Sequence, residues 1–141
     1  MHTANLNTLE LMHGHFDEDQ AVDFRANFAL VGGQGTQGSS LVYIELEPGK
    51  ALGEHTDSPE EVLLVLEGTV EFSVGGETAR ATKGMIGVVP SMAPHSFRNV
   101  GEGIAKVVGF FPAPGVVANF IEPVQPLGVQ EMVFGQVEVT A

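Results

Sequence analysis

Glycine and proline interrupt this sequence so evenly that the apolar segments between them suit short strands rather than packed helices. The 18 glycines and 8 prolines are spread along the chain, separated by runs rich in Val, Ile, Leu and Phe. That spacing predicts an all-β domain, either a sandwich or a barrel. A chain of 141 residues is expected to form one domain. It can bury roughly two thirds of its unfolded surface, so folding alone requires neither a disulfide nor a metal. A hydrophobic fraction of 43% against 17% charged residues excludes a disordered chain.

Charge narrows the partners. Eighteen acidic residues against 6 basic ones give a net charge of −12. The basic residues are scattered, so there is no patch to neutralise phosphates, and nucleic acid and anionic membranes are excluded as partners. With no cysteine, disulfide scaffolds, thiolate zinc sites and cysteine nucleophiles are excluded. Residues 1–20 lack the apolar core of a signal peptide, and no apolar run approaches the roughly 20 residues of a membrane span. The expected setting is a soluble, cytoplasmic one.

Asn7 and Glu10 are spaced like a capping box, with Leu9, Leu11 and Met12 following, which predicts a short helix in the N-terminal stretch. Strands are expected over 24–31, with Phe24, Ala26, Phe28 and Leu30 on one face, and over 41–47. In the latter, Val42, Ile44 and Leu46 alternate against Tyr43, Glu45 and Glu47. A loop over 32–40 separates the two. Further strands are expected over 61–66, 70–74, 77–81, 85–89, 95–100 and 104–111, with Gly75-Gly76 making a tight hairpin turn. Past Pro112 the prolines predict an irregular surface course with a short strand near 132–139.

The string Gly33-Gln34-Gly35-Thr36-Gln37-Gly38 fits G-x-G-x-x-G, but dinucleotide binding also needs a helix opening on the last glycine. Ser39 to Ile44 reads as a strand, so this is a glycine loop. His13 and His15 are another i, i+2 pair beside Asp17, Glu18 and Asp19, in a segment with little scaffold to hold an ion. His2 carries no argument.

The segment 49–68 is more informative. His55 and Asp57 are two apart and share a face on an extended backbone. Glu61 leads the apolar run Val62 to Leu66, where an unpaired carboxylate is expensive to bury. His95 follows Pro90 and Pro94. Two imidazoles and one or two carboxylates from neighbouring strands suit a single divalent ion with open positions. That requires the rings of His55 and His95 within about 6 Å and Glu61 turned inward. If Glu61 faces the interior, alternation carries Leu63 and Val65 with it, and His95 carries Phe97. Phe72, Met85 or Ile86, and Phe111 are candidates to line the same cavity, and Tyr43 and Arg25 to orient a substrate oxygen.

These residues resemble the two motifs of the cupin superfamily. Gly49, His55, Asp57, Glu61 and Gly68 fall at the spacing of the first motif, and Gly84, Pro90, His95 and Asn99 at that of the second. Asp57 stands where the family usually has its second histidine, and Met92 where it has glycine, which suggests a differently built turn before His95. The resemblance implies a double-stranded β-helix, or jelly-roll barrel, in a single domain over 1–141. The core barrel is expected at about 24–111, with an arm over 1–23 and a tail over 112–141. It implies metal ligation by His55, Glu61, His95 and Asp57, or by the first three with Asp57 turned away. The oxygen-rich set favours Fe²⁺ or Mn²⁺, with Zn²⁺ or Ni²⁺ as further fits. The implied function is metal-dependent dioxygenase chemistry of quercetinase-like type on a small organic molecule, with Glu61 as a base. Isomerase or lyase action, or non-catalytic binding of a metal or ligand for sensing or storage, are the alternatives. A homodimer is implied, with Phe24, Phe28, Phe120 and Phe134 as contributors.

Overall fold

The computed structural model describes residues 1–137. Thirteen strands follow in order: β1 (Met12–His15), β2 (Asp23–Gly32), β3 (Gly35–Thr36), β4 (Ser40–Leu46), β5 (Ala51–Asp57), β6 (Glu61–Glu67), β7 (Thr69–Val74), β8 (Glu77–Thr82), β9 (Ile86–Val89), β10 (His95–Asn99), β11 (Ala105–Phe111), β12 (Gly115–Val124) and β13 (Val129–Gly135). They form two sheets. The first runs β1-β2-β4-β11-β6-β9, with β3 beside β2, and the second runs β13-β12-β5-β10-β7-β8. Each connects its long strands antiparallel, and the inner faces of both enclose one core, the all-β jelly roll expected.

Alternation builds that core. On β6, Glu61, Leu63 and Val65 are buried, as are His95 and Phe97 on β10. Gly75 and Gly76 both adopt positive φ, at 56° and 89°, and close the β7–β8 hairpin as the sequence predicts.

Several expectations change. No helix forms near Asn7. The Asn5 side chain instead accepts the Asn7 amide at 2.9 Å, and the Asn5 carbonyl accepts the Thr8 amide, which closes one turn. On β2, Phe28 pairs with Val42 but Leu30 pairs with Leu41, so Ala29 is an extra residue. Beyond that bulge Val31, not Leu30, is the buried residue.

The largest change lies past Pro112. Val116, Ala118, Phe120 and Val124 are buried, and β12 pairs with β5 through Ala118–Asp57 and Phe120–His55. This segment is therefore a wall of the core rather than an irregular surface course. The strand expected over 132–139 is β13, and residues 138–139 lie outside the described residues. At the other end, Phe16 and Val22 extend the core into the first 23 residues.

Candidate metal centre

β5 and β10 are neighbours, and His55 and His95 are direct partners across them. Their ring centroids lie 4.1 Å apart. Asp57, two residues along β5, faces the same way, and Glu61 enters from the opposite sheet at the start of β6. All four side chains are buried. The sequence pattern predicts no strand over 51–57, because the inward positions of β5 are Gly53, His55 and Asp57, which give no apolar alternation.

Each imidazole is oriented by its own strand or turn. His55 Nδ1 donates to the Gly53 carbonyl at 2.8 Å, and His95 Nδ1 donates to the Ala93 carbonyl at 2.9 Å. Both bonds turn Nε2 toward the centre, the arrangement by which a backbone carbonyl fixes a ligating histidine. Asp57 Oδ2 lies 3.4 Å from His55 Nε2 and 3.1 Å from His95 Nε2. Donor atoms of His55, Asp57 and His95 all lie within 4.8 Å of one another. Glu61 joins through His95, with Oε1 at 3.4 Å from Nε2.

These are close approaches, not aligned hydrogen bonds. Asp57 Oδ2 and His95 Nε2 are buried without a hydrogen-bond partner. Buried polar atoms are rarely left so, and two of them aimed at one point fit a cation between them. Burial opposes a charge on His95, but Asp57 and Glu61 beside it raise its pKa to about 10. Burial alone would raise Asp57, yet the His55 and His95 imidazoles hold it at about 2. Glu61 is pushed up, chiefly by burial, with Asp57 adding repulsion.

Three backbone features serve the site. Met92 sits at φ 64°, in the left-handed region that glycine occupies without strain, and its amide donates to the Asp57 carbonyl at 2.9 Å. The turn before His95 thus keeps the shape a glycine would give it, contrary to the altered construction expected from the residue type. Met92→Gly should raise stability by about 1 kcal/mol, read from chemical denaturation. Asn99 is fully buried and donates to the carbonyls of Leu46 and Gly103, so its part is to tie loops together. At Gly109 on β11, a methyl group would overlap the Glu61 carboxylate. Gly109→Ala should cost about 2 kcal/mol by overpacking and shift Glu61 from His95, and a crystal structure of the variant would show the displacement.

The centre opens onto a cavity of about 240 Å³ running between the sheets to Met12, Leu127 and the β12–β13 hairpin. Its walls are mainly apolar. Phe120 stacks on the His55 ring at 4.6 Å, and Phe28 stacks on Phe134 at 4.5 Å. Of the lining expected from sequence, Phe111 is present. Leu63, Val65, Phe72 and Phe97 are buried in the core outside the lining, and Met85 and Ile86 are exposed at 47% and 67%. Tyr43 and Arg25 do not reach the cavity. Alternation turns them to the other face, where Tyr43 donates to Glu45 and Arg25 pairs with Glu47. Phe24, Phe28, Phe120 and Phe134, expected at a dimer contact, line the cavity.

The remaining candidates stay apart from this centre. His13 contacts Asp23 at 2.8 Å and His15 approaches Asp17 at 3.6 Å, both on partly exposed side chains. The glycine string over 33–38 leads into β4 with no helix. No helix among the described residues is long and apolar enough to cross a membrane.

Residues 42–111 match the family model of the cupin domain. No curated protein matches the sequence. Among solved structures, a predicted oxalate decarboxylase from Thermotoga maritima is similar at a TM-score of 0.68 and 14% identity, covering 79% of this chain and 99% of that one. A mutant oxalate decarboxylase from Bacillus subtilis is similar at 0.65 and 16%, over 70% of this chain and 28% of that one. A mutant salicylate 1,2-dioxygenase from Pseudoaminobacter salicylatoxidans, in complex with gentisate, is similar at 0.58 and 26%, over 64% of this chain and 25% of that one. The chain therefore spans about a quarter of each of the last two.

Proposed function

This is a small cupin-domain protein, and from that premise we propose that it is a metal-dependent enzyme acting on a small organic molecule, with dioxygenase chemistry of quercetinase-like type. The observation that carries this is the pair of orphaned buried atoms, Asp57 Oδ2 and His95 Nε2, facing each other at the inner end of an apolar cavity. His55, Asp57 and His95 would hold the ion, with Glu61 as a fourth donor. Two carboxylates in the set favour Fe²⁺ or Mn²⁺, with Zn²⁺ and Ni²⁺ as further fits. Such an ion, when bound, supplies Lewis acidity and an open position for substrate or dioxygen. The chain's own residues do the rest. The cavity walls are mainly apolar, and Glu61, lining the cavity with its pKa raised by burial, can hold or take a substrate proton when it is off the ion.

The test is elemental analysis of protein purified without added metal, followed by oxygen uptake with phenols, flavonols and diketones. A stoichiometric redox metal and substrate-dependent oxygen uptake are expected. Product formation without oxygen uptake would move the assignment to isomerase or lyase action. Ligand-induced thermal stabilisation without product would move it to a binding protein. Failure to retain or take up any divalent ion would overturn the metal-dependent reading.

The protein is further proposed to pair with a second copy of itself. The outer face of the first sheet carries the apolar rows Phe110–Val62–Val88 and Val108–Leu64–Ile86 in register. They end at the edge strand β9, where Ile86 and Val88 are 67% and 56% exposed. In a chain of net charge −12, such an uncharged patch is where two like copies can approach without repulsion. Val88→Lys should convert a dimer to a monomer in sedimentation equilibrium, and an unchanged mass would sink this contact.

A further inference from the structure

The cavity has no cation of its own apart from histidine. All six Lys and Arg side chains are placed elsewhere. Arg25, Arg80, Arg98 and Lys106 sit on strands, each next in sequence to a buried residue (Phe24, Ala81, Phe97 and Ala105), so alternation turns them outward. Lys50 Nζ donates to the Gln20 carbonyl, and Lys83 is exposed beyond β8. The acidic groups that do line the cavity are Asp57 and Glu61.

The space is ring-sized. At about 240 Å³ it exceeds the roughly 150 Å³ of an apolar cavity that holds benzene. Phe24 lies parallel to Phe120 at 6.0 Å, with an interplanar angle of 4°, and Phe120 stacks in turn on His55, so flat surfaces lead to the inner end. A flat apolar body matches these walls. A carboxylate on that body would be desolvated with no lysine or arginine to meet it, and Asp57 and Glu61, which lie against His95, would offset the positive charge of that histidine or of a bound ion.

We infer that the cavity selects by charge: it takes an uncharged aromatic molecule of one or two rings bearing a hydroxyl or carbonyl oxygen, and rejects the carboxylate of the same shape. That the oxygen would sit at the ion rests on the metal-dependent reading above, but the exclusion of anions rests on the walls alone.

2-Naphthol and 2-naphthoate form a matched pair that differs in charge at pH 7. Their affinities should be measured by fluorescence titration on the full chain, as purified and again after chelation of metal. Naphthol is expected to bind at least tenfold more tightly in both states. Equal or tighter binding of naphthoate in either state, or binding of neither compound, overturns the inference. Leu127→Lys places a cation at the cavity mouth on a side chain that is 60% exposed, where folding is not at stake. It should narrow the ratio by raising naphthoate affinity, and an unchanged ratio counts against the walls as the source of selection. A chain that binds no metal but keeps the tenfold preference loses the metal reading and retains this one. A metal-binding chain that prefers naphthoate does the reverse.

Discussion

With His95 replaced by alanine, the protein will bind Mn²⁺ or Fe²⁺ at least about 100-fold more weakly than the parent chain, and isothermal titration will show it. The loss should also appear as a lost Tm increment. Free ion at 1,000 times Kd stabilises a one-site protein by about 4 kcal/mol, on the order of 10 °C in a domain of this size. The pH dependence follows from which group carries the proton. In the metal-free chain, burial opposes the charge on His95, but Asp57 and Glu61 raise its pKa to about 10 from an ordinary 6.5. Its stabilising contribution is complete below pH 6.5 and disappears as pH rises through 10. Asp57, lowered to about 2 from 3.8, contributes above 3.8 and loses that contribution as pH falls through 2. An ion takes the place of the His95 proton, so its binding strengthens over the same rise that weakens the bare site. Tm of the metal-free parent should therefore fall from pH 6.5 toward 10 while the metal increment widens. His95→Ala should remove both trends. An increment that stays constant with pH in the parent would mean that no proton leaves the centre when metal enters.

The second large effect is a change of metal preference. Asp57→His would replace a hard oxygen donor with a third imidazole at a position that already faces His55 and His95. Affinity for Ni²⁺ and Zn²⁺ relative to Mn²⁺ should rise by about tenfold or more, because nitrogen donors favour the later ions. Competition titration with paired metals measures the ratio. No change in it would show that Asp57 contributes charge without touching the ion.

How far the sequence revealed this arrangement depended on where turn-makers and chemistry coincide. His55, Asp57, Glu61 and His95 were legible because Gly49, Gly68, Gly84 and Pro90 mark the turns that bracket them. Their meeting needed β5 and β10 to adjoin in one sheet and β6 to face them from the other. β5 escaped strand recognition for the same reason that it matters: ligand candidates occupy its inward positions. β12 was obscured by Pro112, Pro114 and Pro123, although Val116, Ala118 and Phe120 keep strict alternation between them. Prolines near strand ends leave the middle free to pair, and a period of two outweighs their presence. The cavity walls were harder. The bulge at Ala29 shifts every later residue of β2 by one position, and no residue type announces it. Tyr43 is buried on the face where alternation puts polar residues, because its hydroxyl reaches Glu45 and its ring remains covered.

The triad and Glu61 belong to different layers of the barrel. His55, Asp57 and His95 sit on one sheet, and Glu61 sits on the other. A guest thick enough to wedge the layers apart would draw Glu61 away from His95 while leaving the three other donors in formation. Guest thickness would thereby become a ruler for the reach of the carboxyl group: on the proposed reading, slim molecules would meet it within range of their hydroxyl, and bulky ones would be held by the triad but left beyond its touch.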